Sequence, residues 1–526
     1  MTLLLQKYYK KTDNPRSRNP INFGSMQGEY VYLIGIGGVG MSAVAKILIN
    51  EGCFVSGSDL QQTPVTHNLE RLGARINTYQ DGKNINPYTS MVLISAAISE
   101  DNPDLKKVRT LGMKVFKCSE FLGFLMKNRQ GIAVSGTHGK TTTSAMISVI
   151  LEKSGLEPTF VIGGDVEEIG GSSCIGKGSY FVVEACEYDR TFLNLSPQVG
   201  VITNIDRDHL DYYKNINRIT DAFSEFVSLI PEDGLLVINN DDVNARKVIS
   251  NARCKTEKYS VIMANGKYLP DYVVRAGRKY MLKPNLNEVM PELFDNPLHG
   301  SDGFGQDATW LAVVYYIDKA RSCFNVFYEG RYFGDFCIRA PGLHNVSNSL
   351  AAISVCNYVG LNKNDIERSL RLFKGVDRRF QTISNRDGIR IIDDYAHHPT
   401  EIRVTLETAK SIYPSKRLWC VFQPHQYNRT RLLLKEFAGA LTLADKVVIT
   451  DIYAARDSDI DIASVSSLDL VQELKERGGD VKYIENISEI VSSLHDDTEK
   501  DDVVVTMGAG DIWKAAYGLK ERLENK

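Results

Sequence analysis

The chain has no appreciable excess of charge of either sign. Across 526 residues, 62 Lys and Arg face 65 Asp and Glu, for a formal net charge of −3. That balance gives nucleic acid or an anionic membrane no electrostatic claim to be the main partner, so local basic groups must serve local ligands. No stretch approaches 18 consecutive apolar residues, which argues against a membrane-spanning helix. The apolar run Leu3-Leu4-Leu5 is also too short for the core of a signal peptide. Cysteine is sparse: the nine are scattered singly, odd in number and without a C-x-x-C pair. Such usage suits a reducing compartment better than a disulfide framework, and the cytoplasm is the expected location. Internal repeats and low-complexity tracts are missing as well.

What is present is organised in three segments. The length exceeds what one hydrophobic core usually supports, and three domains are expected. Residues 1–27 read as a solvated, flexible extension. The first segment, 28–128, opens with the apolar strand Tyr30–Ile34, which runs into Gly35-Ile-Gly-Gly-Val-Gly40 and then a helix. A second strand ends near Asp59, a carboxylate 19 positions after Gly40. Gly35, Gly37, Gly38 and Gly40 in strand–loop–helix context, followed by Asp59, form a dinucleotide-type fingerprint, and taken alone it fits NAD. An alternation of strands and helices through Phe116 predicts a doubly wound parallel sheet.

The second segment, 129–382, carries the most informative stretch, Ala133-Val-Ser-Gly-Thr-His-Gly-Lys-Thr-Thr-Thr143. It is a short strand, a Gly-rich turn, a lysine and then hydroxyl residues heading a helix. Gly136 and Gly139 let backbone N–H groups close around phosphate oxygens, with Thr137 and His138 between them. Lys140 adds a point charge, while Thr141 and Thr142 sit at a helix N-terminus where a hydroxyl can meet Mg²⁺. Val134 stands where the eight-residue phosphate loop has its first glycine, so the match is to a shortened form. The strand Tyr180–Glu184 ends in a carboxylate, and the strand Val199–Thr203 runs into Asn204-Ile-Asp-Arg-Asp-His209. In a parallel sheet these C-terminal ends converge on the phosphate loop, making Glu184 and His209 candidate metal ligands, with helix capping as the plain alternative for His209. His344 and Asn348 lie in an amide- and imidazole-rich stretch that feeds a further helix, where simple capping is again the alternative. Residues from about 263 to 305 show no clear periodicity and are interrupted by four prolines, so they read as an inserted loop. The third segment, 383–526, alternates strands and helices again. It contains Asp394-Tyr-Ala-His-His-Pro-Thr-Glu401 and, after the strand Leu418–Phe422, Gln423-Pro-His-Gln-Tyr-Asn-Arg429.

Together these motifs, in this order from about residue 28 to 520, resemble the Mur ligases of peptidoglycan synthesis. The resemblance implies a three-domain α/β architecture: a Rossmann-like N-terminal domain, a central ATPase-like domain with the phosphate loop, and a Rossmann-like C-terminal domain. It also implies a monomeric or homodimeric cytoplasmic enzyme that uses ATP and Mg²⁺ to join L-alanine to the lactyl carboxylate of UDP-N-acetylmuramate. The first glycine loop and Asp59 would then face the UDP-sugar rather than NAD. Lys140 would bind phosphate, Thr141, Glu184 and His209 would hold metal, and His344, Asn348, Arg379 and Asp394 would contact ATP. Tyr395, His397, His425 and Arg429 would form the amino-acid pocket, with Lys140, Glu184, His209, Arg379 and His397 carrying catalysis. Gln426 departs from the family, in which many relatives carry Arg. The alternatives are a ligase attaching a recycled tripeptide to the same sugar, an NAD-dependent oxidoreductase, and a nucleotide-binding regulator.

Overall fold

The computed structural model describes residues 26–264, 272–275, 278–281, 307–455 and 457–525. The chain forms two compact units, one ending at Lys117 and the other beginning at Cys118. In the first unit the strands β1 (Tyr30–Ile34), β2 (Phe54–Ser58), β3 (Arg75–Asn77), β4 (Met91–Ile94) and β5 (Val115–Lys117) form a sheet of order β3-β2-β1-β4-β5. Every pairing in it is parallel. The residues Val31–Ile34 and Met91–Ile94 are buried, as expected where helices cover both faces of a parallel sheet.

Among the described residues, the second unit holds two large sheets and one two-stranded pair. The larger is built from β6 (Gln130–Ser135), β7 (Thr159–Val161), β8 (Ser173–Cys174), β9 (Tyr180–Glu184), β10 (Val199–Ile202), β11 (Leu235–Asn239) and β12 (Lys255–Met263). A paired β13 (Tyr272–Arg275) and β14 (Arg278–Met281) stands apart from it, and β15 (Trp310–Ile317), β16 (Ser322–Tyr328) and β17 (Arg331–Ile338) complete it. The order is β17-β16-β15-β12-β11-β10-β6-β9-β7-β8. Parallel pairing puts the C-terminal ends of β6, β9 and β10 on one edge. The helices Lys140–Lys153 and Leu343–Tyr358 pack on this sheet. Residues Thr141 to Leu151 of the first are all buried, so tertiary packing secures a helix whose opening run of β-branched threonines is a weak helix former.

The smaller sheet contains β18 (Gln381–Arg386), β19 (Ile389–Asp394), β20 (Leu418–Phe422), β21 (Lys446–Ile449), β22 (Val481–Tyr483) and β23 (Val503–Met507), in the order β18-β19-β23-β20-β21-β22. Only the edge pair β18–β19 is antiparallel. Ile392, Leu406, Phe422, Phe437 and Met507 are among the residues filling its core against helices on one face.

Two expectations need correction. The stretch from about 263 to 305 is not wholly irregular, because β13 and β14 pair antiparallel within it; most of the rest lies outside the described residues. The cysteines are not all single: Cys323 and Cys337 are disulfide-bonded. They stand opposite each other in the register of β16 and β17, so chain reversal rather than sequence proximity brings the two sulfurs together. Among the described residues no helix is long and apolar enough to cross a membrane.

Candidate active site

The phosphate loop joins β6 to the helix Lys140–Lys153. Gly136 has φ +134°, and a Cβ there would lie 2.0 Å from Thr203 Oγ1. At Gly139, with φ +81°, a Cβ would meet Asn348 Oδ1 at 2.5 Å, so neither position admits a side chain. The end of β10 grips the loop. Asn204 donates from Nδ2 to the His138 carbonyl (3.0 Å), and its Oδ1 accepts the His138 N–H (2.9 Å). The helix begins at Lys140, and Gly139 offers its N-terminus no side-chain cap. Its first N–H groups are therefore directed at the loop with no side chain competing for them, the arrangement that accepts an anion.

Lys140 Nζ donates to the carbonyls of Gly136 (2.5 Å) and Thr137 (3.0 Å) and to Glu187 Oε2 (2.9 Å). Burial works against its charge, but Glu187 outweighs burial and holds the ammonium above the ordinary lysine range. Thr141 Oγ1 donates to Glu184 Oε2 at 2.8 Å, and the Gly163 N–H donates to the same oxygen at 2.8 Å. Thr141 and Glu184 are thus brought into contact. His209 sits in the left-handed region (φ 51°), its ring 4.9 Å from that of Tyr188, and its buried Nδ1 has no hydrogen-bond partner. Burial keeps this imidazole below its ordinary pKa.

A cavity of about 540 Å³ opens beside the loop, within the size range of small-molecule sites. His138, Thr141, His344, Asn348, Arg379 and Asp394 all line it. Asp394, at the end of β19, accepts the N–H groups of Phe380 (2.9 Å) and Ala396 (2.7 Å). Burial pushes its carboxyl up to about 6, with Arg379 pulling the other way. Burial and then the nearby Arg379 take His344 down to about 4.

The four residues expected around an amino acid form a connected group. The Arg379 guanidinium lies 5.1 Å from the Tyr395 ring, and the rings of His397 and His425 are 5.8 Å apart. Arg429 Nη1 approaches His425 Nδ1 at 3.3 Å. Arg429 is also buried against Asp208, 221 residues earlier, with Nε and Nη2 at 3.1 and 2.9 Å from one carboxylate oxygen. A small second cavity, about 50 Å³, lies among His209, Gln426 and Arg429.

In the first unit, Gly35 has φ +79°, while Gly37 donates its N–H to Asp59 Oδ2 at 2.8 Å. Asp59 thus braces the glycine turn itself. Gly38 precedes the helix Val39–Asn50, and Gly40 lies inside it.

Sequence motifs alone assign no role to Glu187, Asp206 or Glu401. Asp206 and Glu401 lie within motifs and Glu187 just after the strand Tyr180–Glu184, yet the partner of each comes from elsewhere in the chain: Lys140 for Glu187, His138 for the other two. The pattern of carboxylates after β9 and β10, on the edge that holds the loop, was the available signal for the first two.

Three family models match the chain: "Mur ligase family, catalytic domain" over residues 30–130, "Mur ligase middle domain" over 134–283, and "Mur ligase, glutamate ligase domain" over 378–510. The chain is 41% identical to a UDP-N-acetylmuramate–L-alanine ligase of Caldanaerobacter subterraneus subsp. tengcongensis, covering 94% of this chain and 98% of that one. It is 40% identical to the protein of the same name from Alkaliphilus metalliredigens, over 95% and 98%. A crystal structure of the UDP-N-acetylmuramate-alanine ligase of Thermotoga maritima superposes with a TM-score of 0.74 at 26% identity, covering 94% and 99%. A murein peptide ligase from Psychrobacter arcticus shares the fold at 23% identity, with a TM-score of 0.67 over 95% and 99%.

Proposed function

Because the chain belongs to the Mur ligase family, we infer that it is an ATP-dependent ligase that joins L-alanine to the lactyl carboxylate of UDP-N-acetylmuramate, releasing ADP and phosphate in peptidoglycan precursor synthesis. The observation that carries this reading is the near full-length identity to L-alanine ligases, 41% over 497 residues. The site supports it: a phosphate loop and the Arg379 cation beside one cavity of small-molecule size supply the positive charge that activating a carboxylate with ATP calls for.

We assign the nucleotide sugar to residues 28–128, ATP to 129–382 and the amino acid to 383–526. The lactyl carboxylate attacks the γ-phosphorus, and the bond to the β,γ-bridging oxygen breaks to give an acyl phosphate and ADP. Two anions must approach each other, and Lys140 with the uncapped helix N-terminus offsets their repulsion. Thr141 and Glu184 supply oxygen donors in contact with each other, a set that suits a hard divalent cation, and the unpartnered His209 nitrogen is the donor assigned to a second site. Mg²⁺ held there would neutralise phosphate charge. In the second step the neutral amine of alanine attacks the acyl carbon, and the tetrahedral adduct expels phosphate. His397, kept neutral by burial that takes it down to about 4, stands in the group assigned to the amino acid and can accept the proton the amine sheds. Its Nδ1 lies 3.0 Å from the Tyr395 carbonyl and donates there, so Nε2 is the acceptor.

Incubation with ATP, Mg²⁺, UDP-N-acetylmuramate and L-alanine, followed by mass spectrometry of the nucleotide sugar, tests the reading. One added alanyl residue is expected, and an unmodified sugar nucleotide would refute it.

A further inference from the structure

Side chains from three separate stretches meet at one wall of the nucleotide cavity: His138 in the phosphate loop, Asp206 after β10 and Glu401 at the head of the helix Pro399–Ile412 line it, and the buried His398 joins them. Ligand atoms of His138, Asp206 and His398 lie within 4.8 Å of one another, a spacing compatible with a metal ion. Hydrogen bonds already account for those atoms. The Thr400 N–H donates to His398 Nδ1 (3.2 Å), its hydroxyl donates to Asp206 Oδ2 (2.7 Å), and His398 Nε2 donates to the Arg207 carbonyl (3.1 Å). The cluster is a hydrogen-bonded clamp.

Glu401 is its hub. Oε2 accepts the N–H groups of His397 (3.0 Å) and His398 (3.3 Å) and so completes a capping box. A cap needs only that oxygen. Oε1 instead reaches back 263 residues to His138 Nδ1 at 3.1 Å, with Arg379 Nη1 at 3.9 Å, while His138 Nε2 faces Asp206 Oδ2 at 3.4 Å. We propose that Glu401 is a positioning residue for the ligase reaction inferred above: by pinning His138, it fixes the phosphate loop relative to Arg379 and His397. It acts through His138.

The charges around His138 support the assignment. Asp206 comes from the strand end, Glu401 and His398 from the helix head, Lys140 from its own loop, and Arg379 lies beyond Glu401. Burial alone would discharge the imidazole, but hydrogen bonds to the two carboxylates outweigh it and raise its pKa to about 9. Both ring nitrogens then donate, one to each carboxylate. Since this pKa exceeds the unfolded value, the stabilisation the clamp gives is fully present below about pH 6.5 and is lost as pH rises through about 9.

The test is Glu401→Gln in the full-length enzyme, because Gln at this position retains the cap with its one oxygen while removing the charge and the acceptor that face His138. Three readouts go beyond a structural role. By NMR, the His138 ring should titrate near pH 9 in the wild type and at least about one unit lower in the variant. The kcat should fall about tenfold or more while the KM for L-alanine stays within about threefold. The same substitution in a His138→Gln background should cost no further activity. Unchanged His138 titration, a kcat within about twofold of wild type, or additive losses in the double variant would overturn the proposal. A wild-type enzyme without L-alanine-dependent turnover would instead refute the functional reading, and the ring titration would still decide whether Glu401 pins His138.

Discussion

Lys140 and Glu187 form a buried ion pair, Nζ to Oε2 at 2.9 Å, with side chains 12% and 2% exposed. The cation assigned above to phosphate is therefore held by a carboxylate of its own unit, whose second oxygen, Oε1, is buried without a hydrogen-bond partner. An anion entering the loop draws Lys140 from partners already in place, so the lysine is positioned in advance. Lys140→Ala is expected to lower kcat by at least about 100-fold, the scale for losing one preorganised charge-stabilising donor. Glu187→Ala strands a buried ammonium and should cost about 3–5 kcal/mol by chemical denaturation. Near-normal turnover in the first variant, or unchanged stability in the second, would contradict these roles.

The pair Asp208–Arg429 joins the loop after β10 to the helix Tyr427–Leu432 of the smaller sheet. Burial opposes ionisation of Asp208, but Arg429 outweighs it and holds the carboxyl well below the usual range. The folded pKa is depressed, so the stabilisation is present above the unfolded value near 3.9 and is lost as pH falls through the folded value. Arg429→Ala should destabilise the protein by about 3–5 kcal/mol at neutral pH, and the deficit relative to wild type should shrink below about pH 4. Thermal unfolding of both proteins from pH 3 to 8 checks this, and a pH-independent difference would be the contrary result.

Asp394 behaves in the opposite sense. Its folded pKa is raised to about 6 by burial, so the folded form holds its proton longer than the unfolded chain, and ionisation weakens the fold as pH rises toward 6. Asp394→Asn should gain up to about 3 kcal/mol on wild type between pH 4 and pH 7. If it served ATP as assigned, the same variant would bind ATP more weakly, an exchange of affinity for stability. Calorimetry for both quantities is decisive: a variant losing stability in that interval would show that Asp394 is not strained.

Much of the architecture was legible because buried parallel strands are short, nearly continuous apolar runs. Tyr30–Ile34, Met91–Ile94, Tyr180–Glu184, Leu418–Phe422 and Val503–Met507 have the bounds that their sequences suggest. The phosphate loop was legible for a similar reason, since its glycines answer to local backbone geometry. Partner choice was not legible. Glu187 and Glu401 take their roles from contacts 47 and 263 residues away, which no local pattern encodes. Cys323 and Cys337 looked unrelated until β16 and β17 set them in register. Lys140, which reads as a loop ligand, is already the first residue of the helix, and helical geometry is what directs its N–H and that of Thr141 at the loop.

The most direct test of the ligase assignment is phosphate release from ATP and Mg²⁺ with UDP-N-acetylmuramate, comparing L-alanine, glycine and the tripeptide L-Ala-γ-D-Glu-meso-diaminopimelate. Release should depend on L-alanine, with glycine only about 10- to 200-fold less efficient, because one methyl group is worth about 1–3 kcal/mol in an apolar pocket. Release with the tripeptide but not with L-alanine, or with no acceptor at all, would contradict it.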